Sequence, residues 1–153
     1  MVKPKFKYQK QIDELLAKGC QLPELFAPNN MAACRFVFSQ EGHQNHIPQY
    51  MSNPKRMLQD INKGTANTSL LALSCFTTSE KAETFYANLR KAFKNVFTSI
   101  GDSLSEGKLT NEEGLKTSTS CNGHFDLYEY ESCDLNKSFV ITKHLIEKDD
   151  EKD

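Results

Sequence analysis

SLLALSCFTTSEKAETFYANLRKAFKNVF, residues Ser69 to Phe97, decides the fold reading, because an apolar run meets a hydroxyl-rich corner and then a long helical pattern. Leu70 to Phe76 reads as a strand covered on both faces. Ala82, Phe85, Tyr86, Leu89, Ala92, Phe93, Val96 and Phe97 then recur at three- and four-residue intervals, which predicts a helix over 80–97 with Phe85 and Leu89 in the core. Thr77 and Glu80 have the spacing of a capping box, and Glu80 and Glu83 suit the positive end of that helix.

Upstream, Ile12, Leu15 and Leu16 share one helical face within Gln9 to Lys18, and Gly19 follows where a left-handed terminator belongs. Pro23 and Pro28 punctuate a loop, after which ACRFVF, Ala33 to Phe38, has the β-branched and aromatic content of a buried strand. A polar loop containing Gly42 and Pro48 leads to Asn53 and Pro54, an N-cap and first helical residue, and Gly64 closes that second helix. Downstream, Ser103 to Leu109 is a candidate strand, Asn111 to Gly114 a turn, and Asn122-Gly123 the pair favoured in a two-residue hairpin, with a strand over 124–131 beyond it. Phe139 to Thr142 adds a last short strand. The class is α+β: one compact domain over residues 1–146, with a mixed, mostly antiparallel sheet flanked by helices, then an acidic disordered tail over 147–153.

With 153 residues, 38% apolar and 25% charged, the chain has the composition of an ordinary soluble globule, and ten Phe predict a Phe-rich core. A net charge of −1 argues against a general nucleic-acid binder, which needs a basic surface to displace counterions. The Lys-rich N-terminus reads as a solvated helix entry, and no apolar run suggests a membrane span. Five cysteines without regular spacing or a secretory leader read as reduced thiols, with Cys34 and Cys75 as core residues, which points to the cytoplasm.

Several residues carry possible chemistry. Arg35 interrupts an apolar strand, where it either anchors a phosphate or carboxylate through its planar fork or points outward by strand alternation. Thr77, Thr78 and Ser79 open a helix, where hydroxyls and free N–H groups serve either a bound anion or the cap itself. In HFDLYEYE, alternation puts His124, Asp126, Tyr128 and Tyr130 on one face and Phe125, Leu127, Glu129 and Glu131 on the other. A carboxylate at the end of a buried face, Glu129 or Glu131, is a candidate catalytic acid, with a solvated strand end as the alternative. His43 with His46, and Cys121 with His124, have spacings compatible with zinc, but neither pair is a two-cysteine knuckle and no metal is expected.

Taken in order, CRFVF with Arg35, LSCFTTSEKAETFY with Thr77 to Ser79, and GHFDLYEYE with Glu129 and Glu131 resemble the layout of small ADP-ribosyltransferase-like, NAD-using domains. The resemblance implies an NAD or nucleotide site, in a transferase or NAD hydrolase of the kind found in toxins and defence systems. Arg35 would contact the cofactor phosphate or ribose, Thr77, Thr78 and Ser79 would support the nicotinamide side, and Glu129 or Glu131 would stabilise the oxocarbenium charge. The alternative is a non-catalytic protein-interaction module, using the aromatic hairpin and the Tyr50–Met51 loop as its surface. A nucleotide or a protein is therefore the expected partner, and a membrane is not.

Overall fold

The computed structural model describes residues 4–146, so the acidic tail expected over 147–153 lies outside the described residues. Along the chain come α1 (Gln9–Ala17), β1 (Met31–Val37), α2 (Gln49–Ser52), α3 (Pro54–Lys63), β2 (Leu73–Phe76), α4 (Ser79–Ala92), β3 (Ser103–Leu109), β4 (Gly114–Lys116), β5 (His124–Glu129), α5 (Leu135–Ser138) and β6 (Val140–His144). The strands form one six-stranded sheet in the order β4-β5-β2-β1-β3-β6. Every ladder is antiparallel, so the fold is α+β with no parallel pair among the described residues. No helix there is long and apolar enough to cross a membrane.

Local sequence explains most of these boundaries. The Asn53 side chain accepts a hydrogen bond from the Arg56 amide and Pro54 opens α3, which Gly64 ends at φ 72°. Leu70 and Leu71, expected in the central strand, instead lie in a 3-10 turn over Thr68–Leu71, because the Asn67 side chain caps the Ser69 amide and delays the strand to Leu73. The helix N-cap is Thr78, accepting from the Lys81 amide at 3.2 Å, one residue later than the Thr77–Glu80 spacing suggests. This helix stops at Ala92, and Val96 reaches the core from a separate 3-10 turn over Val96–Thr98. Its core-facing residues are Ala82 and Tyr86, whereas Phe85 and Leu89, expected in the core, are half-buried at its flank. Asn122-Gly123 does turn the chain, but within a three-residue connection. The Ser120 amide bonds His124 O, the Gly123 amide bonds Ser120 O, and Gly123 takes φ 84°.

The two faces of the sheet differ. Cys34, Phe76 and Leu104 point toward α4 and meet Ala82, while the Phe36 ring lies against those of Phe76, Phe85 and Tyr86. At the end where β2 begins, Ile12, Leu15, Tyr50 and Met57 from α1, α2 and α3 pack on Leu71, Ala72 and Tyr128. The opposite face carries Ala33, Leu73, Cys75, Phe125 and Leu127, covered by Cys133, Leu135 and Phe139 from the segment around α5. Fully burying each large apolar side chain of these clusters contributes about 1.5 to 3 kcal/mol. All five cysteines are free thiols, and Cys34 and Cys75 are core residues.

The Lys-rich N-terminus is not merely a solvated entry. The Lys7 amide bonds Glu129 O at 2.8 Å, the Glu131 amide bonds Lys5 O at 3.0 Å, and the Phe6 ring stacks on Tyr130. Residues 5–7 thus extend the sheet beyond the end of β5. Tyr50, expected on an interaction surface, is only 1% exposed and its hydroxyl donates to Asp60, so it is a core residue.

Candidate functional site

Strand register brings together a group of polar side chains that lie far apart in sequence. Leu73 pairs with Leu127, Ser74 with Asp126, Cys75 with Phe125 and Phe76 with His124, so Ser74, Asp126 and His124 project from the same face of adjacent central strands. That face is covered by α4 on one side and by the α1–α3 cluster on the other; between them Ser74 is exposed and His124 and Asp126 are partly exposed. Ser74 Oγ lies 2.6 Å from His124 Nε2, and Asp126 Oδ1 lies 3.5 Å from the same nitrogen. The Phe76 ring packs edge-on against the imidazole at 5.5 Å, and the His124 backbone amide donates to the Ser120 hydroxyl.

Asp126 also lines a cleft of about 390 Å³, with Gln21, Asn67, Thr68, Thr117 and Tyr128 among its walls. Its polar groups are fixed by neighbours: Thr68 Oγ1 donates to Gln21 O and lies 3.4 Å from the Tyr128 hydroxyl, and Thr117 Oγ1 accepts from the Asp126 amide. Burial raises Asp126 above the usual carboxylate range, with the nearby His124 pulling in the other direction. A larger depression of about 620 Å³ runs along the outside of α4 beside the hairpin turn, lined mostly by apolar surface that includes Phe85, Leu89 and Ala92. Convergent polar groups on a rigid sheet make the smaller cleft the better ligand site.

The residues singled out in the sequence fall in three places. Arg35 alternates with Cys34 and Phe36 and so projects from the face opposite Ser74, where it is 9% exposed. There its Nε donates to His46 Nδ1 at 2.9 Å and its Nη1 to Ser74 O at 2.5 Å; it neither points outward nor faces the cleft. Thr77, Thr78 and Ser79 lie where β5 begins, since the Thr77 amide bonds Gly123 O, and the Thr78 hydroxyl is spent on the cap. Glu129 is at the other end of β5, roughly 20 Å away at ~3.3 Å per residue. It is 3% exposed and bound through Oε2 to Lys7 Nζ at 2.7 Å, while Glu131 is exposed just past the strand. The antiparallel register therefore separates the hydroxyl corner from both acids instead of gathering them with Arg35. His46 and His124 likewise sit on opposite faces, and no cluster of three or more metal-ligating side chains occurs among the described residues.

What sequence reading missed is Ser74. Alternation had already put His124 and Asp126 on one face, but only the pairing of β2 with β5 adds the serine.

Burial, followed by the charge of Arg35, pushes the His46 imidazole down to about 3; Asp134 opposes this and Lys7 reinforces it. The bond accepted by Nδ1 requires the neutral ring in any case. A base whose folded value lies below its unfolded 6.5 is protonated first in the unfolded chain, so its contribution is present above about pH 6.5 and is lost as pH falls toward 3. Urea unfolding at pH 7, 5.5 and 4.5 should show a loss approaching, at most, about 1.4 kcal/mol per pH unit from this group. His46→Asn, which tolerates the left-handed backbone at φ 62°, should flatten that part of the slope; an unchanged slope would remove His46 as its source.

Compared with protein-family models, curated proteins and solved structures, the chain matches none.

Proposed function

We propose that this chain binds the ribosyl end of a nucleoside or nucleotide, with NAD as the first candidate, in the cleft floored by Asp126 and Tyr128. The observation that carries this reading is a partly desolvated carboxylate among amide and hydroxyl groups that are held by their neighbours, a set suited to a ligand rich in hydroxyls. No lysine or arginine lines the cleft, so it suits the neutral riboside half of a dinucleotide and leaves the phosphates outside. Within this reading the carboxylate beside a ribosyl carbon is Asp126, and neither Glu129 nor Glu131 takes part.

Calorimetric titration with NAD, nicotinamide riboside and adenosine provides the test. Binding should weaken at least about 10-fold in Asp126→Asn, since a hydrogen bond to a charged group contributes about 1.5 to 3 kcal/mol. Glu131→Gln should leave affinity unchanged. Absence of heat with all three at millimolar concentration, or equal binding by Asp126→Asn, would rule the site out. A protein-interaction surface is the second reading, favoured by the apolar groove along α4 and by Phe93, which is 64% exposed at the end of that helix.

A further inference from the structure

Asp126 does more than line the cleft, because Ser74 and His124 stand beside it on the same face of the sheet. We propose that they form a hydrolytic centre for an O-acyl ester of the hydroxyl-rich ligand, with Ser74 as nucleophile and His124 as its base; the substrate class rests on the cleft reading above. The 2.6 Å separation of Ser74 Oγ and His124 Nε2 is a hydrogen bond between a hydroxyl and an imidazole nitrogen, the geometry from which a serine is activated. Ser74 lies directly across the ladder from Asp126, a wall of the cleft, so an alcohol held in the cleft would present its ester carbonyl on the serine side.

The carboxylate is not arranged as in the usual triad, where it holds the far nitrogen of the ring. Asp126 approaches Nε2 itself, at 3.5 Å. Once Nε2 has taken the serine proton, that placement sets a negative charge against the new N–H, and so favours the imidazolium over the resting pair. Asp126 is thus a positioning and charge-stabilising residue here, and its carboxylate also faces the ligand.

The steps balance with water as the only co-reactant. Ser74 Oγ bonds to the acyl carbon as its proton passes to Nε2; the carbon–oxygen bond to the alcohol breaks, and the alcohol leaves with the proton from Nε2. Water then attacks the acyl-serine, gives a proton to Nε2, and the carboxylic acid departs as Ser74 regains its hydrogen. Neither neighbour of Ser74 supplies this chemistry: Cys75 is buried on the opposite face, where burial pushes its thiol up to about 11.

An alkyl fluorophosphonate, which reacts with activated serines, tests the proposal on the full chain, with p-nitrophenyl acetate as a turnover substrate. Mass spectrometry of the digested protein should locate one phosphonyl group on Ser74, and none should be found there in Ser74→Ala. His124→Ala should label at least about 100-fold more slowly, in line with the loss of a general base, while His124→Gln controls for folding through its melting temperature. Unlabelled Ser74 beside a labelled control esterase, or equal labelling in His124→Ala and wild type, would overturn the inference. NAD or nucleoside binding that persists without labelling would sink the hydrolytic centre and leave the binding site standing. Labelling without nucleoside binding would keep the activated serine and discard the ribosyl substrate.

Discussion

Lys7→Ala should destabilise the protein by about 3 to 5 kcal/mol, the cost expected when a buried ion pair loses one partner. Glu129 has only 2% of its side chain exposed, and its other oxygen, Oε1, has no hydrogen-bond partner among the described residues. Lys7 therefore supplies the pairing for a buried carboxylate, and its ammonium also donates to Cys133 O at 2.5 Å, tying the N-terminal segment to the covering chain around α5. Because Lys7 is itself 28% exposed, the lower part of the range is expected. Burial alone would lower the Lys7 pKa, but the hydrogen bond and charge of Glu129 outweigh it and raise the pKa above 10.5, so this contribution is complete at neutral pH and is lost only as pH rises through the raised value. The double variant Lys7→Met, Glu129→Leu should recover most of the loss, since an apolar pair of similar volume replaces the ions without desolvating a charge. Denaturant unfolding of the three proteins is the measurement. A single-variant loss below ~1 kcal/mol would show that Glu129 is solvated in place of its lysine.

That pair also shows why the fold was more legible than the site. Periodicity is a property of one segment at a time: Asn53, Pro54 and Gly64 delimit α3 by their own backbone chemistry, and Ser103 to Leu109 emerges as β3 with those bounds. Glu129 was recognisable as a carboxylate ending a buried face, because alternation from Phe125 onward requires it. What occupies the space above it depends on a segment 122 positions away, and nothing local to either sequence announces that Lys7 docks there. Ser74 is the converse case. Within LSCF it reads as a small residue in a covered strand, and its exposure follows from a gap between two helical layers that only tertiary packing creates. The residues taken in motif order lie apart in the fold for a related reason. Order along the chain does not fix strand direction, and an antiparallel β5 carries its acids away from the corner where it starts.

Arg35→Ala is expected to cost about 2 to 4 kcal/mol of stability and to leave nucleoside and NAD binding unchanged. Its guanidinium is a buried cation whose hydrogen bonds run to His46 and to Ser74 O, and each bond from a charged donor contributes about 1.5 to 3 kcal/mol before the relief of its own desolvation is subtracted. No carboxylate pairs with it among the described residues, so removal strands no opposite charge, and the cost stays below that of a broken ion pair of the same burial. Loss of the neighbouring cation should also let the His46 imidazole titrate at a higher pH, visible as a titration midpoint of its ring protons displaced to higher pH in NMR spectra of the variant. The binding result separates the two readings of this residue. An arginine that anchors a phosphate must weaken NAD when removed while the melting temperature holds, whereas one that clamps a loop to the far face of the sheet must do the reverse. Weakened NAD binding in a variant with unchanged stability would return Arg35 to the ligand and dissociate the nucleotide site from the Asp126 cleft.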